Sequence, residues 1–392
     1  MSRVHTGLEV LLGERRKVLE GKRFAVIANQ ASVAPGLVHA VDLLAAAFGE
    51  GLVRILAPEH GVAGAAQDMA AVGEVRDPRS GLPVVSLYGA NEASLHPPAA
   101  VTDDLDAVVF DLQDVGARYY TFQATLAYTM AAARDRGFEV VVLDRPNPIG
   151  GVAVEGPGVA PGFDSFVGVQ PIAVRHGLTV GELSRLYAAE CGLACRLTVL
   201  PMQGWRREMW FDETGLTWVL PSPNMPTLDT ATVYPGGCLY EGTNLSEGRG
   251  TTRPFELVGA PWLDPGRFAA ALSELGLEGV VFRAASFRPT FHKYAGLDCG
   301  GVQIHVSDRA RFQPFLAGVA VVMVARAQGT GHFDWRRERY EFVSDRLAFD
   351  LLTGSERLRH GIEAGESLDK LAASWRKDEE RFTASRSRYL LY

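Results

Sequence analysis

An α/β fold built on a parallel sheet is what the first half of this chain predicts, on three observations. Four short apolar runs have almost no polar alternation: FAVIAN ending at Asn29, RILAPE at Glu59, AVVFD at Asp111 and VVVLD at Asp144. Such runs mark strands buried on both faces of a parallel sheet. Between the last two lies a helical stretch over about 119–136, closed by Gly137, which completes a βαβ unit. Each run also stops at a polar residue, and open parallel sheets bind ligands in the crevice beyond the carboxyl ends of their strands. Three carboxylates and an amide would converge there.

In chain order, FAVIAN, RILAPE, VVSLY at 84–88, the strand 107–111 and the strand 139–144 give a Rossmann-like, five-strand parallel arrangement, with crossovers expected to be right-handed. The stretch 145–175 is rich in Gly and Pro and reads as irregular; a helix near 179–191 and a strand near 196–200 complete a first domain over 1–220. Pro221-Ser222-Pro223-Asn224-Met225-Pro226 then opens a Gly/Pro/Thr-rich stretch, 221–262, without helical or strand period. A loop of that length inside a compact protein is usually functional, and it is expected to line the cleft. VVFRAASF at 280–287, GVQIHV at 301–306 and helices around 311–328, 341–353 and 366–376 predict a smaller α/β auxiliary domain over 263–392. The active cleft is expected between the two domains.

The 392 residues exceed the size at which one hydrophobic core keeps growing, and 47% hydrophobic with 22% charged content is that of a folded chain. A net charge of −7 and no Lys/Arg-rich run argue against a nucleic-acid surface, so an anionic substrate would need local arginines. Cys191, Cys195, Cys238 and Cys299 form no CxxC pair and no zinc-finger spacing, and they read as free thiols with no metal. Nowhere do eighteen apolar residues run together, so no membrane span is expected. Glu9, Glu14, Arg15, Arg16 and Lys17 interrupt any leader-like segment, so the chain as written reads as cytoplasmic; one trimmed of a signal peptide for export would read the same. Phosphate-loop, HExxH and Gly-x-Ser-x-Gly patterns are missing, and Gly156-Pro157-Gly158 follows no strand. No cofactor is expected. A carboxylate-rich cleft with arginines and aromatics suits glycosidic or other acid/base hydrolysis.

Longer strings carry a resemblance. Pro58-Glu59-His60-Gly61, Gly73-Glu74, Leu87-Tyr88-Gly89, the run from Phe110 to Thr121, Leu143-Asp144-Arg145-Pro146-Asn147-Pro148 and Glu155-Gly156-Pro157 come first. They are followed by the run from Pro221 to Thr227, that from Glu241 to Pro254, and the closing Arg388-Tyr389-Leu390-Leu391-Tyr392. In this order they resemble a bacterial family long known only as a domain of unknown function, whose characterised members are NamZ-type exo-β-N-acetylmuramidases. The resemblance implies removal of a non-reducing terminal N-acetylmuramic acid from peptidoglycan fragments, with Glu59 matching the family's presumed catalytic glutamate. Family members are generally exported, so a chain without a leader would act on an imported fragment.

The chemistry is also readable from the residues. Breaking a glycosidic bond through an oxocarbenium-like state needs one protonated carboxyl group and a second negative group near the anomeric carbon. Glu59, partly desolvated at a strand end, is the expected acid; the structural alternative is a salt bridge to Arg118 or Arg145. Asp114 or Asp111 is favoured over Asp144 as the second group, while Asp111 and Asp114 could instead hold a metal. The sugar's own 2-acetamido group is a third route. The lactyl carboxylate of muramic acid calls for a bidentate arginine, with Arg118, Arg145, Arg249 and Arg253 as candidates and an ion pair as the alternative for each. His60, Tyr119, Asp144, Asn224, Asn244 and Glu247 complete the expected carbohydrate-binding set. Tyr120, Tyr234 and Tyr240 could stack on the sugar, and His292 could relay a proton. Two rival readings stay open, a non-catalytic muropeptide-binding protein and a metal-dependent hydrolase using Asp111 and Asp114.

Overall fold

The computed structural model describes residues 3–62, 75–89 and 91–392; the Gly73-Glu74 pair lies outside them. Seven strands form one sheet: β1 (Phe24–Ala28), β2 (Leu52–Ala57), β3 (Val75–Arg76), β4 (Pro83–Ser86), β5 (Ala107–Asp111), β6 (Glu139–Leu143) and β7 (Arg196–Leu200). Their order is β3-β4-β2-β1-β5-β6-β7, and only the β3–β4 pairing is antiparallel. The strand at 196–200 joins beside β6, which makes six parallel strands instead of five. The chain winds outward from β1 to β4, returns to β5 beside β1, and winds the other way to β7. The topological switch point therefore lies between β1 and β5, where ligand crevices of such sheets open.

Burial on both faces explains the unbroken apolar runs. Ala25 and Ile27 of β1 pack with the helices Phe122–Arg136 and Val180–Glu190, while Val26 and Ala28 face the helices Gly7–Leu12 and Ala40–Phe48. Alternate residues of a strand point to opposite faces, so both must be apolar here. A smaller sheet of β8 (Leu257–Ala260), β9 (Val280–Phe287) and β10 (Cys299–Val306) is antiparallel in the order β8-β10-β9. The larger core cluster runs on from the parallel sheet into this second layer through Tyr234, Phe255, Val258 and Phe315.

Several expected elements change. The stretch 221–262 is not irregular: it holds the helix Leu228–Gly237, a short helical turn Cys238–Gly242 and β8. Every residue from Thr230 to Gly237 is buried, so this helix has no polar face and no period to betray it. The helix expected over 341–353 spans only Ala348–Thr353; that near 366–376 is Leu368–Ala373, followed by a further helix, Arg376–Arg386.

The buried helix crosses Pro314–Gln328 at a glycine pair. A Cβ on Gly236 would lie 2.0 Å from the Pro314 carbonyl oxygen, and one on Gly318 would lie 2.4 Å from that of Gly236. Backbone meets backbone there, with nothing able to give way. Gly236→Ala should therefore lose about 3 kcal/mol or more in denaturant titration. The exposed helical Gly266, where an added Cβ meets nothing nearer than 3.4 Å, should be neutral or gain about 0.4–1 kcal/mol when changed to Ala. Equal stability of the two variants would show that the crossing is not tight.

Candidate active site

β2 delivers Glu59. The strand ends at Ala57, and Pro58–Gly61 turns with the Gly61 amide donating to the Pro58 carbonyl at 3.0 Å. His60 holds a left-handed backbone, φ 72°, where glycine or asparagine is usual. The turn carries the Glu59 carboxyl, with the residue only 5% exposed, into a narrow cavity of about 40 Å³ that is partly open to solvent. The Thr121 hydroxyl, just ahead of the helix Phe122–Arg136, donates to Glu59 Oε2 at 2.7 Å. Beside it stands the Tyr120 phenol, which burial holds protonated by pushing its pKa well above the usual value. The Tyr120 hydroxyl lies near Ser222 but makes no well-formed hydrogen bond.

The opposite wall comes from the second half of the chain. Glu241 ends the buried helical segment and accepts from Arg249 Nη2 and from the Tyr340 hydroxyl, both at 2.7 Å. The Arg249 guanidinium also lies 3.4 Å from Glu247 and sits over the Phe255 ring, 5.1 Å from its centroid. Burial alone would push the Glu247 carboxyl up, but Lys293 at 3.0 Å, His292 at 2.9 Å and Arg249 hold it well below the usual carboxylate range. Glu341, next to Tyr340, lines the cavity and accepts from the Tyr88 hydroxyl at 3.3 Å. Edge-to-face rings join the walls: Phe255 meets Tyr234, and Tyr234 meets both Tyr119 and Tyr120.

Of the residues expected from sequence, Glu59, His60, Tyr119, Tyr120, Asn224, Tyr234 and Arg249 meet at this cavity. Tyr119 does so with its hydroxyl donated to the Pro235 carbonyl, so it offers a ring edge and no free donor. The others serve elsewhere and correct the expectation. Asp111 is fully buried in a bidentate pair with Arg145, at 2.6 and 2.9 Å, and Arg145 also donates to the Val33 carbonyl. Asp114 accepts the Gly116 amide at 2.6 Å, lies 3.4 Å from His176 Nε2 and is not among the residues lining the cavity. Both oxygens of Asp111 are thus engaged by Arg145, whereas Asp114 Oδ1 is buried without a hydrogen-bond partner among the described residues. Among the described residues no group of three His, Cys, Asp or Glu is placed to hold an ion.

Asp144 starts a helix and closes the chain. It accepts from the Gly181 amide, the Thr179 hydroxyl and the hydroxyl of the terminal Tyr392, while burial pushes its pKa up to about 6. Arg118 is wholly buried and donates to the carbonyls of Pro157 and Ile172 in the irregular stretch after β6 and of Leu352 in the helix Ala348–Thr353, so it braces that stretch against the helix. Asn244 ties to the His332 carbonyl and the Asp334 amide in a separate groove. Arg253 points outward to Glu256 at 3.3 Å. Glu247 lies behind Arg249 and orients it. A second cavity opens near the switch point beside Arg145 and Gln113.

Sequence reasoning missed Thr121, Glu241, Tyr340 and Glu341. Thr121 and Glu241 stand inside strings that carry the resemblance, whereas Tyr340 and Glu341 sit at the start of an expected helix, 341–353, that begins only at Ala348. All four cysteines are free thiols, and among the described residues no helix is long and apolar enough to cross a membrane.

Comparison with known proteins agrees with this architecture. Residues 24–229 match the profile of the exo-beta-N-acetylmuramidase NamZ N-terminal domain, and residues 232–392 match that of its C-terminal domain. The chain is 44% identical over 390 residues to the peptidoglycan beta-N-acetylmuramidase NamZ of Bacillus subtilis strain 168, covering all of this chain and 92% of that protein. Two crystal structures of DUF1343 family proteins from Bacteroides fragilis superpose over the whole chain and 99% of theirs. Their TM-scores are 0.90 at 34% identity and 0.78 at 29% identity. The chain belongs to the exo-beta-N-acetylmuramidase NamZ family.

Proposed function

We propose that this protein is an exo-acting β-N-acetylmuramidase that removes non-reducing terminal N-acetylmuramic acid from peptidoglycan fragments, with Glu59 as general acid. The observation that carries the reading is a glutamate almost withdrawn from water, in a cavity where Thr121 occupies Oε2. That bond helps to fix the plane of the carboxyl group whose proton the reaction uses. Transfer of this proton to the glycosidic oxygen neutralises the leaving group as its bond to the anomeric carbon breaks. Water then adds to the anomeric carbon, and its released proton restores Glu59. The Tyr120 phenol is a donor for a sugar oxygen. The net charge of −7 disfavours a nucleic-acid partner.

Arg249 is the one guanidinium among the described residues lining the cavity, and it is the group we assign to the lactyl carboxylate. Its burial between Glu241 and Glu247 makes it part of the wall as well as a ligand. Truncation would take the Arg249 partner from buried Glu241, while Glu247 keeps Lys293 and His292, so Arg249→Ala is expected to unfold earlier, by about 3 kcal/mol. A non-catalytic binding protein would use the same arginine and aromatics but would return the fragment intact.

Three outcomes follow. Glu59→Gln keeps the shape and removes only the proton, so turnover of an unactivated muramyl disaccharide should fall by about 10²–10⁴-fold with the melting temperature unchanged. Retention of a third of wild-type turnover would exclude Glu59 as the acid. In paired assays with aryl β-N-acetylmuraminide and the matching glucosaminide, the first should be preferred by a margin equivalent to about 1.5–3 kcal/mol, because the glucosaminide lacks the carboxylate that would accept charge-assisted hydrogen bonds from Arg249. Equal kcat/KM would remove the lactyl assignment, and peptide-free fragments should be hydrolysed faster than those whose lactyl group is amidated. Arg249→Lys keeps the charge and loses the fork. It should narrow this preference by about tenfold while folding is largely kept; an unchanged preference would place the lactyl group elsewhere.

A further inference from the structure

The acid needs a negative partner, and the two aspartates favoured by the sequence are committed elsewhere. Among the described residues, three carboxylates line the cavity: Glu59, Glu241 and Glu341. Both oxygens of Glu241 are taken at 2.7 Å, one by Arg249 and one by Tyr340. Glu341 differs in how the chain presents it. Tyr340 and Val343 exchange two backbone hydrogen bonds of 2.9 Å, which makes Glu341 and Phe342 the central pair of a two-residue hairpin turn. Both central residues have positive φ, 43° and 72°.

Turns with two left-handed central residues strongly favour Asn-Gly, because a Cβ in that region crowds the backbone. Glu-Phe is a costly occupant, and each half of the pair has a visible use. Phe342 packs against the rings of Tyr88 and Phe166, at 5.6 and 6.3 Å between centroids, which clamps the turn in place. Glu341 is thereby held buried on the cavity wall contributed by the second half of the chain, whereas Glu59 comes from the parallel sheet. The Tyr88 hydroxyl donates to Glu341 Oε2 at 3.3 Å. Strain of this kind, kept by surrounding packing, is characteristic of residues that must point into a site.

From this geometry we propose that Glu341 is the second catalytic carboxylate, the ionised group that faces the anomeric centre while Glu59 protonates the leaving oxygen. The inference rests on the muramidase reading above. In the reaction Glu341 stays a carboxylate: it forms no bond, and its charge offsets the positive charge that develops on the ring oxygen and anomeric carbon as the leaving group departs.

The turn supplies its own test, because asparagine and glycine suit the left-handed position better than glutamate. Glu341→Asn and Glu341→Gly should fold with melting temperatures equal to or above wild type. Turnover of an aryl β-N-acetylmuraminide should nevertheless fall by about 10²–10³-fold, with KM within about threefold. Sodium formate, a small carboxylate able to enter the space left in Glu341→Gly, should restore part of the turnover of that variant and none of that of Glu59→Gln. Activity within tenfold of wild type in either folded variant would overturn the proposal. So would a fall in melting temperature that accounts for the lost activity, or an absence of formate rescue. If wild-type protein fails to cleave the muraminide, the functional reading itself falls. If wild type cleaves it, Glu59→Gln does not and Glu341→Asn does, only this inference falls.

Discussion

The buried guanidinium of Arg249 is the constraint on which the cavity depends. A cation taken out of water must be paired and hydrogen-bonded, and this one engages Glu241 and Glu247 while covering Phe255. Glu247 is in turn held by Lys293 and His292. One charge thus fixes the end of the helical segment Leu228–Gly242, the loop before β8 and the loop after β9 in a single arrangement. From Phe255 the contact continues through the Tyr234 ring to Tyr119 and Tyr120, and Thr121 next in the chain grips Glu59. Acid and opposing wall are therefore joined by packed side chains, which is how a site is kept to the tolerance that proton transfer requires.

Left-handed backbone gathers at the same place. His60, Phe255 and Glu341 all line the cavity with positive φ, and each such residue costs about 1–3 kcal/mol against an unstrained one. The close packing of the common core offsets that cost. The molecule is thus less stable than its packing would permit, and the deficit lies where side chains must be aimed.

Much of the sheet is legible in the sequence because burial on both faces leaves β1, β2, β5 and β6 with long apolar runs. The same physics hides the helix Leu228–Gly237: buried all round, it loses the alternation that marks an amphipathic helix, and its Pro and Gly residues read as loop. Strand-end carboxylates mislead for a related reason. Asp111 and Asp144 do stand at strand ends, but one neutralises Arg145 and the other caps a helix and holds Tyr392, tasks that need the same residue type as catalysis. Arg118 and Arg249 sit in equally distinctive strings, and only their surroundings separate a brace of backbone carbonyls from a guanidinium on a cavity wall. Glu59 is legible because glutamate is a poor turn former between Pro58 and Gly61. Glu341 is not, since no periodic element leads into its turn.

The central claim is that chemistry occurs where the Glu59 turn meets the Arg249 wall, and not at the switch point of the sheet beside Arg145. A crystal structure of Glu59→Gln soaked with N-acetylmuramyl-β-1,4-N-acetylglucosamine tests it most directly. The account predicts the glycosidic oxygen about 2.6–3.2 Å from the side-chain amide at position 59, with the muramyl ring between Tyr120 and Glu341 and its lactyl group toward Arg249. A disaccharide bound instead in the cavity lined by Arg145 and Gln113, with the Glu59 cavity empty, would contradict it.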